Sequence, residues 1–284
     1  MRATIGRYFW AAVMIVLFVV STEAGQKLRY KFEQGKKYSY STTVDNKTTG
    51  QGMGQEFTVT AVSNLDYTVV VDSVQKGSFK LTITLEKFVN KINMPVMGFN
   101  DSTVAMTEWE GKRVSVTMNE LGKVLSIEAI DQVPPSKLGM MLHMGPTDMF
   151  RRIFFELPDK ELGVDTVWKN TDPDTTRQMG LTIAVKPNLE FKVVGKETKN
   201  GLECWKIVFN GTNLTTGSGS MQGMDITVDG STKISGTVYF APKEGLFISA
   251  EQSNDAESSQ TFSGAQSGAQ STSSIIAIKS ALKQ

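Results

Sequence analysis

From Lys27 onward, apolar and polar residues alternate with period two along most of the chain. Leu28-Arg29-Tyr30-Lys31-Phe32 places three apolar side chains on one face and two bases on the other. Gly35 breaks the run, and Tyr38 and Tyr40 resume it. The same alternation recurs over 57–62, 67–74, 79–89, 114–118 and 124–130, then over 181–185, 189–194, 203–209, 232–240, 246–250 and 275–282, with Gly, Asn or Asp in most of the gaps. Short alternating runs bounded by turn residues predict antiparallel meanders.

The period changes once. After Pro134-Pro135-Ser136, the residues Leu138, Met141 and Leu142 fall at helical spacing. After Gly145-Pro146, so do Met149, Phe150, Ile153, Phe154 and Leu157. Ser136 and Thr147 or Asp148 suit N-caps and Pro158 suits a stop, which predicts two short amphipathic helices. Two stretches are low in complexity: 211–223, of Gly, Ser and Thr around Met221, and 252–274, mostly Ser, Gln, Gly and Ala. Neither offers much apolar surface, so both are expected as mobile hairpin ends.

The strand pattern also repeats. Asn64-Leu65-Asp66-Tyr67-Thr68-Val69-Val70 matches Asn188-Leu189-Glu190-Phe191-Lys192-Val193-Val194, and Gly77 falls on Gly201 in the same register. Leu81, Ile83 and Leu85 fall on Trp205, Ile207 and Phe209, while Gly122, Val124, Ser126 and Glu128 correspond to Gly245, Phe247, Ser249 and Glu251. Two blocks in one order at nearly equal offsets indicate an internal duplication. The repeat turns Trp205, Ile207 and Phe209 inward, so Cys204 faces the other way, under a loop or at a rim.

The N-terminus carries an export signal. Arg2 and Arg7 precede an unbroken apolar run from Tyr8 to Val20, followed by Ser21-Thr22-Glu23-Ala24 with small residues suited to cleavage after Ala24. A bilayer-spanning helix needs about 20 apolar residues, more than this run supplies, so no transmembrane span is expected once the signal is removed. Loss of Arg2, Arg7 and Glu23 leaves 28 basic and 28 acidic residues. A neutral chain without a basic stripe argues against nucleic acid as a partner. Cys204 is the only cysteine in the sequence, so no intramolecular disulfide is expected and the fold must rest on its core.

Catalytic and cofactor signatures are missing. His143 is the single histidine, and no nucleophile elbow accompanies it. One His and one distant Cys do not make a zinc set. Asp172-Pro173-Asp174 begins like a calcium loop but lacks the Gly and the closing Glu. Gly50-Gln51-Gly52-Met53-Gly54 joins two strands, so it reads as a turn and offers no helix N-terminus to a phosphate. No carboxylate pair is singled out for acid–base work. The sequons at Asn46, Asn100, Asn210 and Asn213 would matter only in a eukaryotic secretory pathway. Methionine is abundant at 14 residues, with eight of them, Met94 to Met149, clustered around the helical stretch, which suits either an adaptable ligand surface or gap-filling in the core.

The opening Leu28-Arg29-Tyr30-Lys31-Phe32-Glu33-Gln34-Gly35-Lys36-Lys37-Tyr38 and the segment Leu157-Pro158-Asp159-Lys160-Glu161-Leu162-Gly163-Val164-Asp165-Thr166-Val167-Trp168 together resemble an uncharacterised family of exported bacterial β-proteins. Those begin with an L-x-Y/F-x-F-x-x-G-x-x-Y strand pair and carry a P-x-x-x-V-x-x-G-D-x-W segment midway. Here Val164 separates Gly163 from Asp165, a departure at the turn. The family has no assigned activity, so the resemblance implies no functional residues. More loosely, the layout is similar to the open β-barrels of periplasmic lipoprotein carriers, a likeness of fold alone.

These readings predict an all-β, mainly antiparallel protein with a short helical insert and two duplicated half-barrels of curved sheet. The expected divisions are a signal peptide at 1–24, one β repeat at 25–132, the helical insert at 133–158 and a second repeat at 159–284, the repeats forming one globular unit or two. The leading function is non-enzymatic binding of a lipid or other apolar or amphipathic ligand in the periplasm or outside the cell. The insert would act as a lid, with Met141, Leu142, Phe150 and Phe154 against the ligand. The alternative is a structural or adhesive module that contacts another envelope protein, and an enzyme ranks third. No catalytic residue, metal ligand or cofactor is expected.

Overall fold

The structure is a computed structural model that describes residues 25–52, 54–95, 98–132, 146–151, 153–178, 180–221, 223–264 and 267–283. Its strands are β1 (Gln26–Lys27), β2 (Lys37–Gly52), β3 (Gln55–Gln75), β4 (Ser78–Met94), β5 (Phe99–Ala105), β6 (Arg113–Asn119), β7 (Val124–Ala129), β8 (Glu161–Leu162), β9 (Val167–Asn170), β10 (Asp174–Gln178), β11 (Leu181–Lys199), β12 (Leu202–Met221), β13 (Met224–Ala241), β14 (Leu246–Gly264) and β15 (Gly268–Leu282). All but β1 and β8 join one antiparallel sheet in the order β10-β11-β12-β13-β14-β15-β2-β3-β4-β6-β7, with β5 beside β4 and β9 beside β11. The sheet is curved and open, so the all-β expectation holds.

Two expectations need correction. The helical insert reduces, among the described residues, to a single turn, α1 (Pro146–Phe150). Residues 153–160 form no helix, although Phe154 and Leu157 are buried. Pro158 cannot continue a helix, and the backbone N–H of Leu157 instead donates to the Leu121 carbonyl at 2.8 Å. Residues 133–145, with His143, Met141 and Leu142, lie outside the described residues, as do 1–24 with the export signal. The second concerns the low-complexity stretches, which are hairpin ends as expected but are regular paired strand over 211–221, 252–264 and 268–274, the outer parts of β12, β14 and β15. A wide sheet satisfies the backbone of Ser, Thr and Gln from both sides, so these strands need little apolar surface of their own.

The pairings recur 124 residues apart. Tyr67 opposes Leu85 and Val69 opposes Ile83 across β3–β4; Phe191 opposes Phe209 and Val193 opposes Ile207 across β11–β12. The next ladder repeats as well, with Leu81–Val116 and Ile83–Val114 matched by Trp205–Phe240 and Ile207–Val238. Both halves share one sheet because β15 pairs with β14 on one side and β2 on the other.

The main core occupies the end of the sheet where Gly77, Gly122, Gly201 and Gly245 turn the chain. Residues 28–32 are extended across it without joining a ladder. Leu28, Tyr30 and Phe32 are buried and Lys31 is exposed, as the alternation requires. Tyr30 N–H donates to the Glu120 carbonyl at 2.8 Å and Lys31 N–H to the Gly245 carbonyl at 3.0 Å, so the segment bridges the two corresponding turns. Tyr30 hydroxyl donates to the Phe155 carbonyl at 2.9 Å, and its ring meets Phe240 edge-on at 5.2 Å. At the surface, Arg29 Nε donates to Glu120 Oε1 at 2.9 Å and its Nη2 to Asp159.

Gly122 is where this segment fits most closely. Its φ is +88°, and an added Cβ would stand 2.5 Å from the Phe155 oxygen and 2.7 Å from the Tyr30 ring. Gly122→Ala should therefore cost more than the roughly 1–2 kcal/mol of left-handed strain alone. Urea denaturation measures it; a loss under about 1 kcal/mol would mean that Tyr30 is not held against this turn.

Candidate functional site: the uncharged face of the long hairpins

Beyond the core the hairpins extend as one curved sheet. The cross-strand register assigns each side chain to a face. The face continuous with the core carries Phe57, Val59 and Ala61 on β3; Val44, Asn46, Thr48 and Gly50 on β2; Ile278, Ile276, Ser274 and Thr272 on β15; and Gln252, Asn254, Ala256 and Ser258 on β14. It continues through Ile226, Val228, Thr232 and Ile234 on β13, Gly211, Asn213, Thr215 and Gly217 on β12, and Ile183, Val185, Pro187 and Leu189 on β11. These residues are half-buried or buried, and none is charged.

The opposite face of the same strands holds Asp45, Lys47, Glu56, Lys186, Asp225, Asp229, Lys233, Glu251, Asp255 and Glu257, all exposed. Half-burial on one face and full exposure on the other is what a curved sheet produces, since side chains crowd on the concave side. Ile226, two positions from the strand's beginning at Met224, is only 4% exposed. Small residues permit the crowding. An added Cβ on Gly236 would stand 2.4 Å from the Phe209 ring and one on Gly50 would stand 2.4 Å from Phe57, so each ring covers a glycine on the neighbouring strand.

Polarity is graded across this concave face. Its centre, on β14, β15 and β2, is largely uncharged but polar, and its side chains bond one another: Gln252 Nε2 donates to Asn254 Oδ1 at 2.7 Å, Ser258 and Thr272 hydroxyls lie 3.0 Å apart, and Thr48 and Ser274 hydroxyls 2.8 Å apart. The flanks are apolar, with Ile, Val, Pro and Leu on β11 and β13 on one side and Phe57, Val59, Leu65, Phe88 and Ile92 on β3 and β4 on the other. Asn90, between Phe88 and Ile92, is 1% exposed. Its Oδ1 accepts from Ser63 at 2.5 Å, and its Nδ2 has no protein partner; nor do Trp109 Nε1 and, on β12, Asn213 Oδ1.

An aromatic wall closes the inner end. Tyr40 and Tyr67 stack at 5.5 Å, Tyr40 also stacks on Phe247 at 6.0 Å, and Phe150 meets Tyr67 edge-on at 5.5 Å. Tyr40 hydroxyl donates to the Phe247 carbonyl at 3.2 Å. Burial pushes the pKa values of Tyr30, Tyr40 and Tyr67 well above the ordinary value. Of the residues expected against a ligand, Phe150 and Phe154 are both in the core, at 1% and 7% exposure, Phe150 on Tyr67 and Phe154 against Tyr30 and Phe32.

At the level of Gly50 the polar centre of this face dips into a shallow depression of about 880 Å³ across β13, β14, β15, β2 and β3, lined by Ser, Thr, Gly, Gln and acids with Phe57 as the one large apolar residue, so it suits polar groups better than hydrocarbon. Other candidates offer less. Cys204 faces away from Trp205 yet is fully buried. Its thiol lies 3.5 Å from the Leu202 carbonyl, and burial raises its pKa, which disfavours the reactive thiolate. Among the described residues no group of three or more His, Cys, Asp or Glu side chains is placed to hold a metal, and no helix is long and apolar enough to cross a membrane.

No protein-family model matches the chain, and no curated protein matches it. Among solved structures it is similar to lipovitellin, from a study of its lipid–protein interactions, at a TM-score of 0.46 and 11% identity over 89% of this chain. The chain spans 26% of that lipovitellin chain. It is also similar to an outer membrane channel from Pseudomonas putida F1, at a TM-score of 0.28 and 6% identity, covering 89% of this chain and 97% of the channel. Function is therefore read from the sheet itself.

Proposed function

We propose that the protein is exported and binds an uncharged, apolar or amphipathic molecule on the concave face of its sheet, without catalysing a reaction. The observation that carries this reading is the segregation of charge, with every ionisable side chain of β12 to β15 beyond the core on the convex face. A soluble sheet with both faces in water has no reason to exclude charge from one of them. A face that holds an apolar molecule does, because an unpaired charge there must be desolvated. Apolar flanks would take the hydrocarbon, and the Gln, Asn, Ser and Thr of the centre would take uncharged polar groups. The free donors of Asn90 and Trp109 suit a carbonyl or hydroxyl oxygen, in keeping with the few polar groups that orient ligands in apolar sites. Phe150 and Phe154 enter the proposal as the inner end wall, with Phe150 packed on Tyr67.

Two variants differing by one position test it. Val228 is on the concave face and Thr227 is on the convex one. Val228→Lys should reduce uptake of a fluorescent fatty-acyl probe at least tenfold, about 1.4 kcal/mol, while Thr227→Lys leaves uptake near wild type. A wild-type protein that takes up no probe, or two variants that behave alike, would remove the ligand reading and favour a surface for protein contact.

A further inference from the structure

The strand register puts a carboxamide at the same position of the two duplicated hairpins. Across β3–β4, Leu65 opposes Phe88 and Ser63 opposes Asn90; across β11–β12, Leu189 opposes Gly211 and Pro187 opposes Asn213. Glu86 is the extra residue of a bulge on β4, so Asn90 and Asn213 match in pairing and not at the constant sequence offset. Both stand on the concave face, and each leaves one covered carboxamide atom without a protein partner, Nδ2 of Asn90 and Oδ1 of Asn213. Turning the Asn90 amide over only exchanges the atom left free, since the Ser63 hydroxyl can bond either one. Trp109, whose ring lies 6.0 Å from that of Phe88, leaves its buried Nε1–H unpartnered too.

A covered polar atom without a partner costs stability that a leucine in its place would not. One such atom in a large sheet is ordinary, but two at equivalent positions form a pattern. Their surroundings differ, with Phe88 against Gly211, Ser63 against Pro187 and, on the outer neighbour, Val104 against Thr232. The carboxamide nevertheless stands in both, where packing alone would favour an apolar side chain. Around both positions the concave face is uncharged, so neither a carboxylate nor an ammonium would find a counter-charge. A hydroxyl both donates and accepts, and it therefore satisfies either carboxamide in either orientation.

We infer that Asn90 and Asn213 anchor two equivalent subsites, each taking a hydroxyl of an uncharged amphipathic molecule, a long-chain alcohol or a monoacylglycerol. Six strand steps separate β12 from β4, roughly 29 Å along the sheet, too far for one small head group. Each chain thus holds two molecules. The inference rests on the proposed function and sharpens it by naming the head group and the number bound. Asn213 is half-buried whereas Asn90 is 1% exposed, so the Asn213 subsite needs less rearrangement and fills first.

Native mass spectrometry of the full mature chain, titrated with glycerol monolaurate or with methyl laurate, tests this. The two share an acyl chain, and methyl laurate has no hydroxyl. Wild type should take up two glycerol monolaurate molecules and hold them roughly tenfold more tightly than methyl laurate. Asn90→Leu and Asn213→Leu should each lower the glycerol monolaurate count to one, leave methyl laurate binding unchanged, and keep or raise the thermal midpoint. Because Asn213 is half-buried, Asn213→Leu decides the matter even where Asn90→Leu fails to fold. Equal binding of the two ligands by wild type, or Leu variants that bind as wild type does, would overturn the inference and leave the concave-face reading standing. A lower midpoint for Asn213→Leu with equal loss of both ligands would give the carboxamide a structural role and overturn it as well. A wild-type chain that binds neither ligand would overturn both readings.

Discussion

Above the ordinary tyrosine pKa of 10.0, the protein should lose folding stability at up to about 4 kcal/mol per pH unit. Tyr30, Tyr40 and Tyr67 are each buried at 2% exposure or less, and burial holds their phenols neutral far above that value. In the unfolded chain the same three lose protons once pH passes 10.0, so the unfolded state binds fewer protons than the folded state and its share grows as pH rises. The stabilisation is fully present below the unfolded pKa and is lost above it, at about 1.4 kcal/mol per residue and pH unit. Phenolate absorbance should report these three residues only as the fold opens, in one step with the loss of β-sheet circular dichroism. Gradual ionisation with the sheet intact would contradict the aromatic wall. At the acid end, Arg113 holds Asp131 down at about 2, and Arg29 lowers Asp159. These exposed pairs contribute above the unfolded carboxylate range and fade only as pH falls below it.

The second large effect is expected from Phe150→Ala. The ring is 1% exposed, lies edge-on to Tyr67 and is held by a helix of only one turn, so the site has little local structure with which to collapse around a cavity. A cost of about 3–5 kcal/mol follows from large-to-small substitution in a packed core. Urea unfolding measures it, and uptake of the acyl probe by the same variant, well below its unfolding midpoint, shows whether the end wall also bounds the ligand. A cost near 1 kcal/mol would place Phe150 outside the load of the core.

Much of the fold was legible because alternation survives wherever apolar residues mark one face. Leu81-Thr82-Ile83-Thr84-Leu85 and Trp205-Lys206-Ile207-Val208-Phe209 could be read directly, and both face the core in register. The concave face was missed because its markers are weak: Gly211, Asn213, Thr215 and Gly217 alternate with Thr212, Leu214, Thr216 and Ser218, which hydropathy alone does not separate. Charge parity does. On β14 the charges Glu251, Asp255 and Glu257 all stand at odd positions, and on β13 so do Asp225, Asp229 and Lys233. Period-two segregation of charge marks a strand as surely as period-two segregation of leucine. The helical turn shows the reverse error, where apolar spacing over 149–157 looked helical but core contacts and Pro158 decided the backbone.

The pairing of β15 between the halves also sets an order of events. β15 pairs with β14 on one side and β2 on the other, and its ladder with β2 joins positions as distant in sequence as Tyr40 and Leu282. A chain growing from its N-terminus can form the β2–β3–β4 and β11 to β14 ladders early, but β2 and β14 then wait with bare edges, which invite pairing between molecules. Closing so long a loop is slow. The seam should thus be the last part of the sheet to form, leaving two half-sheets with bare edges until it does. Such a chain gains from being kept extended until its final strand is available.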